Sequence, residues 1–454
     1  MLHLYWLKNK YTAIRGTSGN YPSFCFYYFS RTLLIKKMVQ RIFYYLSISF
    51  LLSCSPSDNK LVLHRKISYP QSKFIKSFSF TGEPVRYPGS GSDMHWYTWG
   101  IDDHIYIVDD DGQNFNGYTN YAHVLRIKGI PPHHTLETVT DFEDYDFRAK
   151  IPYKLYRRYV DGILAVDSVL YVCIYDYDWE IPGKVYDFDD MHRRAKLYSA
   201  WEGLTETQIE NMSFVDGFSK NGGIAGIIAS FDFGKTWVNI PDTNTPQFLG
   251  PRFAGMSFLT WGPGYSNTPA ELGDYVYGIS NDGNWESGDN VFMARVHRDS
   301  ILNREAWSFF VSYNNMKSEW TKLEDAAQPI FTDSGHVGHP TMMYNPALDR
   351  YIMMIYSDTI PHRIDASREE RAKWDKASEL QIYEAPTPFG PWSIFYNEVP
   401  WGGKNHSCYL GQMPAKWLNN SGTAGYIMFA GDYADAKHEY YGLIVQPYKL
   451  ELFK

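Results

Sequence analysis

Histidine and cysteine side chains cluster at two places in the carboxyl-terminal half of the sequence. His336 and His339 alternate with glycines, and His406 precedes Cys408 by two residues. Each pair leads into an apolar, strand-like run, and residues two apart share one face of a strand. Three imidazoles and one thiolate would satisfy tetrahedral Zn²⁺. The sequence therefore predicts one zinc ion and no organic cofactor, although the spacing matches no standard finger and these histidines could instead be buried or contact a substrate.

Acidic residues near the first strand-like run form a second candidate constellation. Asp93 leads into the run 96–99, and Asp109, Asp110 and Asp111 follow the next run. Hydrolysis of a glycosidic bond needs two carboxylates, one as acid and the other as base or nucleophile. Asp93 with one of the three could supply that pair, whereas acidic runs beside a glycine more often form turns or bind cations.

Strand-like runs recur in five groups, and these groups must position the candidate residues. Each group holds three or four short runs rich in β-branched and aromatic residues, which favour strands. Four-strand groups at a loose repeat of about 50 to 90 residues are typical of a β-propeller. We therefore predict an all-β protein, a single β-propeller of four-stranded antiparallel blades, with five blades favoured and seven possible. Few short helical insertions are expected, with 205–212 and 365–376 as the best candidates, and the run 74–80 is expected to complete the last blade.

One eight-residue stretch has the composition of a specific hairpin turn. Residues 230–237 read Ser-Phe-Asp-Phe-Gly-Lys-Thr-Trp and follow an apolar run. Ser230 and Asp232 can accept hydrogen bonds from N–H groups of the turn, and Gly234 supplies the positive φ that the turn needs. The pattern resembles the Asp-box, the turn between outer strands of a blade in sialidase-like β-propellers. It supports the fold and says little about chemistry, because this turn lies on the rim.

Further motifs resemble those of secreted bacterial propellers long catalogued as of unknown function, some of whose relatives are endo-arabinan hydrolases. The general plan is also similar to that of propeller lyases that cut ulvan and of rhamnose–glucuronate lyases. These motifs are scaffold features of blades, so they bear on fold and substrate class more than on reaction. They are Asp274-Tyr275-Val276-Tyr277, Ala294-Arg295-Val296, the stretch 301–307, Tyr344-Asn345-Pro346 before Arg350-Tyr351, and Tyr383-Glu384-Ala385-Pro386 before Gly390-Pro391-Trp392.

The resemblance to ulvan lyases implies elimination at a uronic acid. Such an enzyme needs a base for the C5 proton, an acid for the leaving oxygen, and a cation or donors for the carboxylate. In those lyases His and Tyr act as base and acid, and Arg binds the carboxylate. Asp93 and His95 are expected to share a strand face, because they are two residues apart. The nearest catalytic candidates are His95, His123, Tyr177 and Arg193, and the expected substrate contacts are Asp93, Trp96 and Tyr265.

Composition limits the partners. The formal net charge of −8 argues against nucleic acid, since phosphate binding needs clustered Lys and Arg. The 17% aromatic content suits strands and the flat apolar faces of sugar rings. The leading hypothesis is a monomeric carbon–oxygen lyase that degrades an anionic polysaccharide or oligosaccharide such as ulvan. The alternatives are a glycoside hydrolase that uses the Asp pair, endo-arabinanase-like or sialidase-like, and a non-catalytic surface glycan-binding propeller.

The amino terminus has the organisation of a secretory signal. A short basic segment begins at Met38, and the apolar run 42–52 is too short to span a bilayer. Leu51-Leu52-Ser53-Cys54 resembles the bacterial lipobox, in which the cysteine is lipidated. We expect an exported lipoprotein at the outer membrane, the cell surface or in the periplasm, held to the membrane only by its lipid anchor. The expected segments are a leader or mis-assigned start at 1–37, a signal peptide at 38–53, a tether at 54–72 and the catalytic propeller at 73–454.

Overall fold

The structure is a computed structural model, and the residues it describes lie within His64–Lys454. Strands dominate, and the helices among the described residues are single turns of 3-10 helix. Within this part of the chain, no helix combines the length and apolar character needed to cross a membrane. The expected signal peptide and both expected helical insertions lie outside the described residues. The described residues are 65–87, 91–113, 119–142, 157–177, 221–241, 245–253, 255–282, 288–359, 377–402, 408–431 and 441–454.

The strands are mostly short apolar runs, because neighbouring sheets cover both of their faces. In the fourth sheet, for example, every residue of the strand Ser378–Ala385 is buried. The strands in chain order are β1 (Ile75–Phe80), β2 (Val85–Arg86), β3 (Gly91–Trp99), β4 (Ile105–Gln113), β5 (Thr119–Ile130), β6 (His133–Asp141), β7 (Arg157–Val166), β8 (Val169–Tyr177), β9 (Asn221–Ser230), β10 (Ser257–Phe258), β11 (Tyr275–Asn281), β12 (Gly288–His297), β13 (Ser308–Asn314), β14 (Lys317–Thr321), β15 (Pro329–Val337), β16 (Thr341–Asn345), β17 (Arg350–Asp358), β18 (Ser378–Ala385), β19 (Ser393–Glu398), β20 (Tyr409–Gln412), β21 (Ala424–Gly431) and β22 (Gly442–Leu452).

These strands form five antiparallel sheets, in which successive strands are neighbours. The orders are β3-β4-β5-β6, β7-β8-β9, β10-β11-β12-β13-β14, β16-β17-β18-β19 and β20-β21-β22-β1. The second sheet gains a short fourth position where Val238 bridges to Ala229. Each sheet is one blade, and the described residues therefore form a five-bladed propeller, as the sequence predicts. Three additions were not predicted: β14 pairs beside β13, β15 pairs beside β12, and β2 pairs beside β22.

The ring is closed by strands from both ends of the described chain. β1 is the outer strand of the fifth blade, where Phe78 lies opposite Leu450. This confirms the expectation that the run 74–80 completes the last blade. Residues 65–72, assigned from sequence to the tether, pack on the propeller: Tyr69 stacks on Phe331 with ring centroids 4.4 Å apart. The folded part thus begins before the predicted boundary at residue 73.

The central channel is nearly closed by side chains. Trp96, Tyr97, Thr341 and Gln412 are among the residues that line it, and its volume is about 10 Å³. That is the volume needed for about one water molecule. A sugar therefore cannot enter the channel, and any catalytic site must lie at one of its mouths.

The Asp-box turn has the hydrogen bonds expected from its sequence. Asp232 accepts from the N–H groups of Lys235 and Thr236 at 3.1 and 2.9 Å, and from the Thr236 hydroxyl at 2.7 Å. The Gly234 N–H donates to Ser230 Oγ at 2.8 Å, and Gly234 has φ of +88°. The turn joins β9 to the short outer position at Val238, which confirms its predicted place on the rim.

Candidate active site

Chemistry-bearing side chains meet at the end of the ring where the innermost strands begin. These strands, β3, β7, β10, β16 and β20, are the first strands of their blades, so they run in one direction around the channel. Asp93 lies in β3, Asp161 in β7, His339 just before β16 and Tyr409 at the start of β20. Tyr409 is hydrogen-bonded to Asp93, Asp161 is bonded by Met256 of the third blade, and His339 packs near Trp96 of the first blade. We call this end of the channel the entrance and these four residues the entrance ring.

Asp93 is aimed at the entrance by an irregularity in β3. The pairing of β3 with β4 shifts between Asp93 and Trp96, and the buried Met94 has φ of +52°. Such a conformation is strained for a residue with a side chain and is often found at functional sites. The half-buried Asp93 accepts a hydrogen bond at 2.6 Å from the hydroxyl of Tyr409, in the fifth blade. Burial raises the pKa of that phenol well above its usual range, so Tyr409 stays a donor.

His95 does not share a face with Asp93, because the same bulge turns it into the first blade. There it belongs to a chain of four fully buried residues. Ser92 Oγ donates to Asp109 Oδ2 at 2.6 Å, Asp109 Oδ1 lies 2.8 Å from His123 Nδ1, and His95 Nε2 lies 3.3 Å from Ser92 Oγ. We call these four residues the Asp109 cluster.

The number of hydrogens in the Asp109 cluster fixes the tautomer of His95. Ser92 has one hydroxyl hydrogen and gives it to Asp109, so His95 must donate to Ser92 through Nε2. His95 Nδ1 is then an acceptor, and it is buried with no hydrogen-bond partner among the described residues. Burial lowers the pKa of His95 to about 4; the Asp109 carboxylate opposes this shift. His95 is thus neutral at physiological pH.

Asp161 is the carboxyl group that the sequence interpretation missed. It is fully buried at a second bulge, where the pairing of β7 with β8 shifts between Val160 and Ile163. Its Oδ2 accepts a hydrogen bond from the Met256 N–H, across to the third blade, while Oδ1 is without a hydrogen-bond partner in the described part of the chain. Burial raises the pKa of this carboxyl well above its usual range, which favours the protonated form. An aspartate followed by a glycine inside an apolar run was the available sequence signal.

His339 links the first, third and fourth blades. It is buried, its ring lies 5.9 Å from that of Trp96, and a Cβ on Gly255 would stand 2.5 Å from its Cε1. Burial lowers the pKa of His339 to about 3, so the ring is neutral at physiological pH.

The predicted zinc ligands are not brought together as a set. His336 Nδ1 lies 3.4 Å from Ser357 Oγ and 3.5 Å from Glu379 Oε2, whereas His339 packs on Gly255. No group of three or more His, Cys, Asp or Glu side chains in the described ranges could hold a metal ion. His406 lies outside those ranges, so zinc stays a prediction.

The remaining predicted site residues are scattered or undescribed. The Tyr177 side chain and Arg193 lie outside the described residues. Trp96 is buried and lines the channel. Tyr265 is buried too, and its hydroxyl oxygen accepts a hydrogen bond from the Tyr277 N–H at 2.9 Å. Its neighbour Gly264 accepts a hydrogen bond from Asp167, in the turn after β7, which places Tyr265 at the end opposite the entrance.

Three comparisons relate the chain to known proteins. Residues 206–408, less than half of the chain, match a domain family of unknown function, DUF4185. No curated protein matches the chain. Similar solved structures include a provisionally assigned hydrolase from Bacteroides ovatus (12% identity, 81% of this chain and 87% of that chain, TM-score 0.44), an α-L-arabinofuranosidase from Podospora anserina in complex with cellotriose (9%, 83% and 97%, 0.40) and an endo-1,4-β-xylanase from Bacteroides thetaiotaomicron (9%, 82% and 97%, 0.37).

The expectation of a carbon–oxygen lyase is wrong. The similar structures just named are described as hydrolases, not lyases. Within the chain, the two histidines expected to take the C5 proton are fully buried, and both belong to the Asp109 cluster. In that cluster His95 Nε2 donates to Ser92 and His123 Nδ1 is paired with Asp109, so these ring nitrogens are committed to partners within the first blade. With identities this low, the role of each residue has to be argued from the geometry of this chain.

Proposed function

We propose that the protein is a glycoside hydrolase whose reaction takes place at the entrance, with Asp93 and Asp161 as the two carboxyl groups. The observation that carries the proposal is that adjacent innermost strands each present an aspartate at a bulge, in opposite environments. One is half-buried and hydrogen-bonded by a phenol, and the other is fully buried with a pKa raised by that burial. Two carboxyl groups in such different environments are the arrangement that assigns acid and base roles in glycosidases.

Asp161 would act as the general acid. A carboxyl group that keeps its proton at neutral pH can give it to the leaving glycosidic oxygen. The two oxygens of Asp161 would have different roles. Oδ2 accepts the Met256 N–H, and Oδ1 would carry the proton.

Asp93 would act as the base or the nucleophile. An aspartate is ordinarily ionised at neutral pH, and the hydrogen bond from Tyr409 fixes one oxygen of this one. Asp109, the partner expected from the sequence, cannot share this role, because Ser92 and His123 occupy its two oxygens in the buried interior. The side chains of Asp110 and Asp111 lie outside the described residues.

A polysaccharide as substrate rests on the motif resemblance and on the chemistry of paired carboxyl groups. The test is mass spectrometry of products after incubation with a panel of neutral and acidic plant and algal polysaccharides. Hydrolysis adds one water to each pair of products, and no unsaturated sugar forms. Asp93→Asn and Asp161→Asn should each lower the rate by about 10²- to 10⁴-fold, the usual contribution of an acid or base.

Asp161→Asn is close to isosteric with the protonated acid, so the fold should survive, and circular dichroism checks this. Glu451→Gln, an exposed change in β22, is the matched control and should keep full activity. Saturable binding to a glycan without any change in product size would overturn the hydrolase and leave a glycan-binding propeller.

A further inference from the structure

A second concave site lies between the fourth and fifth blades. It is a cavity of about 320 Å³, open on one side, which the entrance ring does not line. We propose that this cavity binds one neutral sugar residue. The choice of a glycan as the source of that sugar rests on the proposed function, whereas the cavity and its chemistry do not.

The floor of the cavity is apolar and rigid. Trp401, Phe429 and Ile444 form it, and all three are buried. The Trp401 and Phe429 rings are 5.1 Å apart and tilted against each other, which fixes both. Carbon-bound hydrogens on one face of a pyranose or furanose suit such a floor, because that face is the apolar side of a sugar ring.

The rim of the cavity is polar. Glu83, Arg86, Glu398 and Gln446 line it, and each is at least partly exposed. Glu398 is held in place, since Tyr396 donates to Oε2 at 2.7 Å and the Gly402 N–H donates to Oε1 at 3.2 Å. A carboxylate oxygen has a second lone pair, so both oxygens can still accept a sugar hydroxyl.

Charge and volume narrow the class of ligand. Two carboxylates and one guanidinium give the rim a net charge of −1, which disfavours uronic acids and sulfated sugars. A cavity of 320 Å³ is at the lower end of ligand pockets, which suits a single ring rather than a disaccharide.

The cavity is adjacent to the entrance ring along the chain. Cys408 lines the cavity, and the next residue, Tyr409, holds Asp93. Consecutive Cα atoms are about 3.8 Å apart. A sugar bound in the cavity can therefore belong to the glycan whose bond is cleaved at the entrance, as a contact remote from that bond.

The test measures binding apart from cleavage. Saturation-transfer NMR titrations of the full chain, carrying Asp93→Asn, use xylose, arabinose and glucose as probes, with galacturonic acid for comparison. At least one neutral sugar should bind, and galacturonic acid should bind at least about threefold more weakly. Adding Glu398→Gln should weaken the neutral sugar about tenfold, the loss expected for a hydrogen bond to a charged acceptor. Adding Glu451→Gln, the matched control, should change nothing.

Two results would overturn the proposal: equal binding in the Glu398→Gln and Glu451→Gln proteins, or tighter binding of galacturonic acid. Cys408→Phe, which fills the cavity, gives a second measure and should abolish the signal. If that variant fails to fold, the Glu398→Gln comparison still decides. If the sugar binds here but no polysaccharide is cleaved, the cavity stands and the proposed hydrolase falls.

Discussion

Asp109 illustrates how one buried carboxylate can determine what its neighbours are able to do. It accepts a hydrogen bond from Ser92 on one oxygen and is paired with His123 on the other. Ser92 in turn accepts a hydrogen bond from His95 Nε2. Ser92 and His95 flank Asp93 and the strained Met94, so the cluster holds both sides of the bulge that aims Asp93. The two histidines expected to be catalytic, His95 and His123, are therefore part of the support that holds Asp93 in place.

Replacing Asp109 by Asn should disturb this support. An amide offers one accepting oxygen where the carboxylate offers two, so either Ser92 or His123 loses its partner in the interior. We expect the free energy of unfolding to fall by about 1–3 kcal/mol, the cost of one unsatisfied buried group, and hydrolysis to fall at least about tenfold. Chemical denaturation and assays of new reducing ends measure the two effects. Nitrogen NMR of the parent protein should show His95 protonated at Nε2, and an Nδ1-protonated ring would contradict the cluster described here.

The Tyr409 hydroxyl is a second single group whose removal tests how Asp93 is held. Tyr409→Phe removes only the donor to Asp93 and keeps the ring that packs 5.9 Å from Tyr356. We expect kcat to fall about tenfold with little change in KM, because the phenol orients a reacting group and does not hold the substrate. Steady-state kinetics measure this split. Unchanged kcat would mean that Asp93 needs no support from the fifth blade.

At the scale of the element, the Asp-box turn depends on one half-buried aspartate. Asp232→Ala removes its bonds from Lys235 and from the backbone and hydroxyl of Thr236. With about 1 kcal/mol for each of these bonds, discounted for exposure, we expect a loss of about 1–3 kcal/mol in urea denaturation. Phe231→Ser, at the exposed tip of the same turn, should stay within about 0.5 kcal/mol of the parent. Equal effects of the two changes would contradict this account.

Local chemistry explains which elements were predictable. The blade strands and the turn after β9 follow from apolar runs and turn residues, which act over a few positions. The pairing of β15 with β12 joins segments more than thirty residues apart and leaves no local signal. The prediction of the site was wrong for a related reason. A period of two places Asp93 and His95 on one face of the strand, but the bulge at Met94 separates them. Asp161 was missed because an isolated aspartate in an apolar run looks the same whether or not a neighbouring blade supplies its donor.

At the scale of the whole molecule, ring closure depends on β1. Ile75 and Phe78 are buried, and β1 covers the edge of β22. Deleting residues 1–81 should leave that edge unpaired and the fifth blade uncovered, so we expect insoluble protein or a non-cooperative thermal transition. Deleting residues 1–64, which removes none of the described contacts, is the control and should keep a cooperative transition. A soluble and cooperative 82–454 protein would show that three strands suffice for the fifth blade.

Buried titratable groups should make stability depend on pH in a way that two variants separate. His95 and His339 have folded pKa values of about 4 and about 3, below the ordinary 6.5. Between pH 6.5 and 4.5 the unfolded chain binds a proton on each that the native protein does not, so stability is lost as pH falls. Asp161 acts in the opposite direction over this window, because its raised pKa keeps a proton in the native protein that the unfolded chain releases above about pH 4.

Two variants, His339→Gln and Asp161→Asn, should therefore change the slope of unfolding free energy against pH in opposite directions. His339→Gln removes one proton taken up on unfolding and should flatten the decline by about 1 kcal/mol per pH unit. Asp161→Asn removes the opposing group and should steepen it. His297→Gln, at an exposed imidazole, is the matched control and should leave the slope unchanged. Urea denaturation at pH 6.5, 5.5 and 4.5 measures all four proteins. Both effects depend on burial in the native state. Parallel slopes for His339→Gln and Asp161→Asn would therefore mean that water reaches these two groups. Asp161 would then lose the protonated state that its role as the acid requires.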